Sequence, residues 1–400
     1  MTTTFTKSFT QQEPIAEATI ERVGQILRSG RLHRYNVAEG ETAEAALLER
    51  EYAAWQGVPY CVACASGGYA LQLALRAAGL RHGEKVLANA YTLAPVPGAI
   101  HAAGGVPVLV EIDDHWHVDC DDLEAKAKAS GARFFMLSHM RGHICDMERV
   151  QRICDNHDIA LIEDCAHTMG ARWKGTRSGN FGRAAAFSTQ TYKHINSGEG
   201  GLLTTFDAEL AARAIVHSGS YMLYERHGAA PEGEVFDRIK LTSANMSGRM
   251  DNMRAALIRD QLRTLDGNIE RWNRLYGALE SALRVSNGIT TVPRADHEEF
   301  VGSSLQFRPQ LASEEDFPRL LAACAARGVE LKWFGAATPT AFTSRYDSWA
   351  YLGEIDPLPQ TLDVLASTCD IRVPLTFDTD DCALIGAIIS QEVQRLLPAR

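Results

Sequence analysis

Lys193, Asp164 with His167, and the run Ser66-Gly67-Gly68 are the residues of this 400-residue chain whose types and spacing best support chemistry. Lys193 stands in "AFSTQTYKHINSGEGGLLTT", residues 186–205, between a hydroxyl-rich stretch and a Ser, Gly, Glu, Gly, Gly run. A neutral, sheltered lysine amine adds to a carbonyl carbon and forms an imine. A solvated surface cation, the usual state of a lysine, does nothing of the kind. Asp164 closes the apolar run "IALIED" and His167 follows three residues on. A carboxylate there either caps the turn after a strand or holds a proton on a bound partner. Ser66, Gly67 and Gly68 in "CVACASGGYALQLAL" lie where a strand turns into a helix, so unpaired backbone N–H groups face whatever binds there, an arrangement suited to a phosphate. Taken alone, a Gly-Gly turn before a helix is also a plain connection.

The elements that must position these groups follow a regular rhythm. Short apolar runs, "KVLANA", "VPVLVEI", "RFFMLS" and "IALIED", alternate with the helix-period segments "GYALQLALRAAG", "DLEAKAKASG" and "MERVQRICDNH". Such βαβ alternation predicts an α/β fold whose mostly parallel sheet is covered by helices. Ligands of such sheets collect at the carboxyl ends of the strands, which is where Asp164 and Ser66–Gly68 fall. The polar segment "YMLYERHGAAPEGEVFDRIKLTSANMSGRM" then breaks the rhythm, and "NMRAALIRDQLRTLDGNIERWNRLYGALESAL" reads as one long helix. Further on come "LQFRPQL", a helix in "EEDFPRLLAACAARG", a loop-rich insert and a closing helix near "DCALIGAIISQEVQRLL". The predicted organisation is a large domain over residues 1–250, with an N-terminal helical arm, and a connecting helix plus a smaller α/β domain over 251–400.

One cofactor needs all three groups at once: a lysine for an imine, an acid to keep a pyridine nitrogen protonated, and a helix N-terminus for its phosphate. It is pyridoxal 5'-phosphate. In this reading Lys193 carries the imine and shuttles a proton, while Asp164 keeps the pyridinium charged so that the ring can absorb the electrons of a carbanion.

Composition removes other classes. The formal net charge of −10 with no dense Lys/Arg block argues against nucleic acid as a partner. The start, "MTTTFTKSFTQQEPIAEATIERV", lacks the basic first residues and apolar core of a signal peptide, and no stretch approaches the roughly 18 apolar residues of a membrane span. A cytoplasmic protein without a membrane segment is expected. Nine cysteines, an odd number scattered along the chain, fit a reducing compartment better than a disulfide framework. "CVAC" at Cys61–Cys64 has the spacing of half a zinc site but no second pair follows, and "HWH" at His115–His117 follows an acidic turn without a third ligand. No metal is expected.

The stretch "LIEDCAHTMGARWKGTRSGNFGRAAAFSTQTYKHINSGEGGLLTT" resembles the signature of the DegT/StrS family of fold type I pyridoxal phosphate enzymes, best known as sugar aminotransferases. "RYNVAEGETAEAALLERE", "GGVPVLVEIDD", "HMRGHICDME" and "RMDNMRAALIRDQL" resemble further family blocks, so the likeness runs over nearly the whole chain. It implies a mostly parallel seven-stranded sheet with helices on both faces and a smaller C-terminal α/β domain. It also implies Lys193 as the imine lysine, Asp164 as the partner of the pyridine nitrogen, and His167 near the ring hydroxyl. Ser188 would touch the phosphate together with Ser66, Gly67 and Gly68, whereas Glu199 and its glycines look structural. Gly68 stands where the family usually has threonine, which removes one hydroxyl donor. The ring-stacking aromatic aligns with Leu93, so that either Leu93 or Tyr91 covers the ring. In "NMSGRM", Asn245 and Ser247 both compete for the place of a family asparagine, and Arg249 completes the block.

The implied activity is transfer of an amino group from L-glutamate or L-glutamine to a keto sugar, cyclitol or related intermediate of secondary metabolism. The implied assembly is a homodimer whose segment Asn245–Arg249 reaches the partner's cofactor. Other residues near the motifs that could meet an acceptor are His33, Tyr35, Tyr192, His194, Arg249, Trp333 and Phe334. Two alternatives stay open: a pyridoxal phosphate lyase, dehydratase or epimerase acting on an amino compound, and a cofactor-binding regulator without turnover. The family's dehydrating branch has histidine in place of the lysine, and Lys193 speaks against that chemistry.

Overall fold

The computed structural model describes residues 3–341 and 343–397. Strands β1 (Tyr60–Cys64), β2 (Lys85–Asn89), β3 (Val106–Val110), β4 (Phe134–Ser138) and β5 (Ala160–Asp164) come first. A short hairpin of β6 (Arg172–Trp173) and β7 (Thr176–Arg177) leads on to β8 (Ala184–Ser188) and β9 (Gly201–Thr205). Seven of these form one sheet in the order β1-β9-β8-β5-β4-β2-β3. Only β9 runs against its neighbours, β1 and β8; every other adjacent pair is parallel.

Alternate residues of each strand enter different cores, as the two-residue period requires. Cys61 and Ala63 of β1 join one buried cluster and Val62 and Cys64 the other. The first face is covered by α2 (Glu44–Gln56), α5 (Cys120–Ser130), α6 (Met147–Asn156) and the first half of the 33-residue α9 (Asn252–Arg284); the other is covered by α3 (Gly67–Ala77), α4 (Pro95–Ala102), α7 (Ala208–Ser218) and α8 (Gly233–Ile239). An outer helix, α1 (Glu17–Ser29), packs on α9. The helix starts are set by side chains that accept first-turn N–H groups: Ser66 for α3, Asp119 for α5, Asp146 for α6, Asp207 for α7 and Asp251 for α9.

The long helix predicted from the sequence is α9. Its apolar stripe, Ala255, Ile258, Leu262, Leu265 and Trp272 and then Leu279 and Leu283, runs from the core on the first face of the sheet into another one. That second core lies between α9, α10 (Asp316–Ala325) and α12 (Thr379–Leu396) and a four-stranded sheet ordered β10-β12-β14-β13. Its strands are β10 (Ile289–Thr291), β12 (Ser304–Pro309), β13 (Lys332–Trp333) and β14 (Cys369–Arg372), while β11 (Glu298–Glu299) joins the β6–β7 hairpin, and α11 (Pro359–Ala366) precedes β14. Phe5 and Phe9 pack edge-to-face with Phe377 in this second core. The start of the chain therefore lies against the C-terminal half, across the boundary that the sequence suggests at residue 250.

Candidate active site

The carboxyl ends of β1, β2, β4, β5 and β8 converge on one cavity of about 430 Å³. Asp164, the last residue of β5, sits beside Ser138, the last residue of β4, because the two strands pair in parallel register. The Ser138 hydroxyl donates to Asp164 Oδ2 at 2.8 Å, and the Ala166 N–H donates to Oδ1 at 3.1 Å. Ser138 is itself fixed: its N–H donates to Asn89 Oδ1 at 2.8 Å and its oxygen accepts from the Thr92 hydroxyl at 2.8 Å. The carboxylate is thus oriented by donors and presented to the cavity, more than a turn cap requires. The neighbouring Glu163 points to the opposite face and accepts N–H bonds from Gly179, Phe181 and Gly182, which ties the glycine-bearing turn to β5.

Lys193 lies in the loop between β8 and β9. Backbone bonds Thr189 N–H to Gly200 O at 3.0 Å and Thr191 N–H to Gly198 O at 3.1 Å hold the base of the loop, and Gln190 O accepts the Lys193 N–H at 2.8 Å. The Lys193 amine reaches His167 Nε2 at 2.6 Å. Burial holds its pKa down at about 7; Asp164 opposes that fall, and Arg141, Arg372 and Lys332 reinforce it. His167 is pushed well below the usual imidazole range by burial and by the Lys193 charge, so its ring is neutral and can accept a hydrogen bond from the amine.

The phosphate-sized corner is built by close approach. A Cβ added at Gly67 would come within 2.7 Å of the Ser188 Cβ, so only glycine lets α3 start against the end of β8. Likewise a Cβ at Gly201 would meet Ser66 O at 2.2 Å, and the glycines after Glu199 have a structural reason. The Ser66 hydroxyl accepts the Tyr69 N–H at 3.1 Å. The N–H groups of Gly67 and Gly68, in the first turn of α3, have no helical partner and line the cavity with Ser188. Donors of this kind, a lysine amine and an oriented carboxylate fit the phosphate, the aldehyde carbon and the ring nitrogen of pyridoxal phosphate respectively.

The structure brings together Ser66, Gly67, Gly68, Leu93, Asp164, His167, Ser188 and Lys193 around this cavity. It does not bring Tyr91 there. Tyr91 is buried edge-on against Phe334 at 5.2 Å, in an apolar cluster with Ile112 and Trp116, so of the two alternatives it is Leu93 that forms the wall. Asn245 and Ser247 are exposed, and Arg249 donates to Gly219 O at 2.8 Å and Ser247 Oγ at 2.9 Å; none of the three lines the cavity of its own chain. Of the residues suggested for an acceptor, only Tyr192 lies on the cavity wall. His33 and Tyr35 belong elsewhere, where the Tyr35 hydroxyl meets His227 at 2.7 Å, and Trp333 stacks on Phe317. Sequence reasoning missed Ser138, which the strand-end rule applied to "RFFMLS" would have found. It also missed Arg141, Arg372 and Lys332, for which no local signal exists.

The fold and this constellation define a class, the α/β pyridoxal-phosphate-dependent aminotransferases. Within that class the chain belongs to the DegT/DnrJ/EryC1/StrS aminotransferase family, whose model matches residues 13–386. The chain is 32% identical over 245 residues to GDP-perosamine synthase of Caulobacter vibrioides, 61% of this chain and 63% of that protein. It is 31% identical over 262 residues to L-glutamine:2-deoxy-scyllo-inosose aminotransferase of Streptomyces kanamyceticus, 65% of this chain and 60% of that protein. These matches therefore span less than two thirds of the length of either relative. Among solved structures, the aminotransferase TlmJ from Streptoalloteichus hindustanus superposes with a TM-score of 0.81 at 19% identity, over 96% of this chain and 98% of that one, a likeness of fold. The family's enzymes depend on pyridoxal 5'-phosphate. No described helix is long and apolar enough to cross a membrane.

Proposed function

We propose that this protein is an aminotransferase that moves an amino group from L-glutamate or L-glutamine to the keto group of a sugar, cyclitol or related secondary-metabolite intermediate, in two half-reactions at one site. The observation that carries the reading is the Lys193 amine, 2.6 Å from a neutral His167 in the cavity that also holds Asp164. When bound, pyridoxal phosphate supplies the electron sink that makes the substrate's C–H bond acidic. The chain supplies the rest. With a pKa near 7, the Lys193 amine can both give and take a proton in the neutral range. His167 orients that amine by accepting from it. Asp164, fixed by Ser138 and Ala166, would hold a proton on the ring nitrogen, and Ser188 with the first turn of α3 would hold the phosphate; their hydrogen bonds and shared cavity support this reading.

Assembly belongs to the same proposal: a cytoplasmic homodimer whose Asn245–Arg249 segment, idle in its own chain's cavity, serves the partner's. The deciding test uses L-glutamate or L-glutamine alone with the yellow holoprotein. The cofactor's absorbance should change to that of its amine form without any acceptor, and borohydride added beforehand should fix the cofactor to Lys193. Release of ammonia or an eliminated product would instead favour the lyase reading, and inertness to every amino compound the regulatory one.

A further inference from the structure

The wall of the cavity opposite α3 is crowded with positive charge. Arg141 follows β4 in a turn where its φ is 55°, a left-handed conformation that a non-glycine residue holds only at some cost. Its side chain is only 7% exposed, and its Nε and Nη2 atoms make no hydrogen bond. Nη2 comes within 3.1 Å of Asp370 Oδ2, an ion-pair distance without hydrogen-bond alignment. Arg372, at the end of β14, lies over the Tyr192 ring at 4.0 Å, and Lys332 opens β13; both line the same cavity. Neither makes an ion pair among the described residues. Asp370, the buried residue in their midst, stands opposite Lys332 in the backbone register of β13 and β14, and its carboxylate already accepts from Gln306 Nε2 at 2.7 Å. Its single charge cannot balance three cations.

Desolvated cations that outnumber their carboxylate partners cost free energy unless a ligand supplies the missing charge. The cofactor's phosphate has its own donors at the first turn of α3, on the large-domain side. The geometry points to a carboxylate-binding subsite formed by Arg141, Arg372 and Lys332 beside Lys193, which holds the anionic end of an amino-acid donor or of an acidic keto acceptor. This deepens the aminotransferase reading and rests on it. An arginine fork matches a carboxylate in two parallel bonds, and an ammonium adds a point charge that no neutral sugar or cyclitol would use.

Calorimetric titration of the holoprotein with glutarate and with its diamide tests the subsite without turnover, in the wild type and in Arg372→Gln and Lys332→Gln. The expected result is selective binding of glutarate, weakened by about 10- to 100-fold in each variant, with the diamide unaffected. Equal affinity for the two probes in the wild type, or unchanged glutarate affinity in both variants, overturns the proposal. Thermal midpoints check that the variants are folded, and Lys332→Gln removes a charge whose burial the fold already opposes, since its pKa is held down at about 8. The two sources separate by half-reaction. A raised half-saturation for L-glutamate assigns the subsite to the donor. An unchanged L-glutamate reaction, with lost preference for acidic over neutral amino compounds in the reverse direction, assigns it to the acceptor. Selective glutarate binding by a protein whose spectrum no amino compound alters would leave the subsite standing while removing the aminotransferase reading.

Discussion

Replacing Lys193 by methionine should make the cofactor-free protein more resistant to denaturation in mildly acidic solution, and the advantage should shrink as the pH rises. The reason lies in the lysine's surroundings. Its pKa falls from the ordinary 10.5 to about 7 because the amine is packed among protein groups, with Arg141, Arg372 and Lys332 adding repulsion. Below that value both folded and unfolded chains carry the proton, and the folded state bears the whole cost of the buried charge. Between about 7 and 10.5 the unfolded chain holds the extra proton, so wild-type stability rises with pH across that window. At about 1.4 kcal/mol for each tenfold change in proton affinity the gap has an upper bound of about 4–5 kcal/mol, and water in the open cavity reduces it to about 2–4. Urea denaturation of wild type and Lys193→Met, each stripped of cofactor, measures it from about pH 6 to about pH 10. Methionine keeps most of the side chain's bulk and carries no proton, so other titrations largely cancel in the difference. A difference that stays constant over that range would refute the reasoning, because Lys193 would then titrate as an ordinary exposed lysine.

Asp164→Asn should retain cofactor but lose at least about 100-fold in turnover, because the amide keeps the shape and loses the charge that holds the ring proton; near-normal kcat would make Asp164 a structural cap. At the start of α3, Gly67→Ala should release cofactor and lower the thermal midpoint, since its Cβ has no room beside Ser188, whereas Gly68→Ser should be tolerated, because among the described residues its Cβ would meet, outside its own helix and chain neighbours, nothing nearer than Pro95 Cβ at 3.7 Å. The added hydroxyl at Gly68 should slow cofactor loss during dialysis; faster loss would show that this corner does not hold the phosphate. Mixing Lys193→Ala and Arg249→Ala subunits, each inactive alone, should restore activity if sites are completed across a dimer, and mixed dimers without activity would confine each site to one chain.

The βαβ rhythm, the strand ends and the lysine with its upstream acid were legible because they are local. A two-residue period fixes which face a strand residue meets, and a strand end in a parallel sheet fixes where a carboxylate such as Asp164 must point. The register of β4 beside β5 follows from packing, and with it Ser138 becomes the donor that orients that carboxylate. Tyr91 and Leu93 looked interchangeable as cover for the ring. The choice fell to Phe334, more than two hundred residues away in sequence, whose edge-on contact draws Tyr91 into an apolar cluster and leaves Leu93 on the wall.

By itself the sequence determined the class of fold and singled out Lys193 and Asp164, which the structure brings to one cavity, since hydrophobic period and strand-end position are properties of short segments. Tertiary structure alone decided the electrostatics around them. Arg141, Lys332 and Arg372 are far apart along the chain and belong to no common motif, yet they line one cavity because β13 and β14 bring Lys332, Asp370 and Arg372 beside the turn after β4. The depressed pKa of Lys193 depends on those charges and on burial, and both are sums over all neighbours in space, which no single segment of sequence contains.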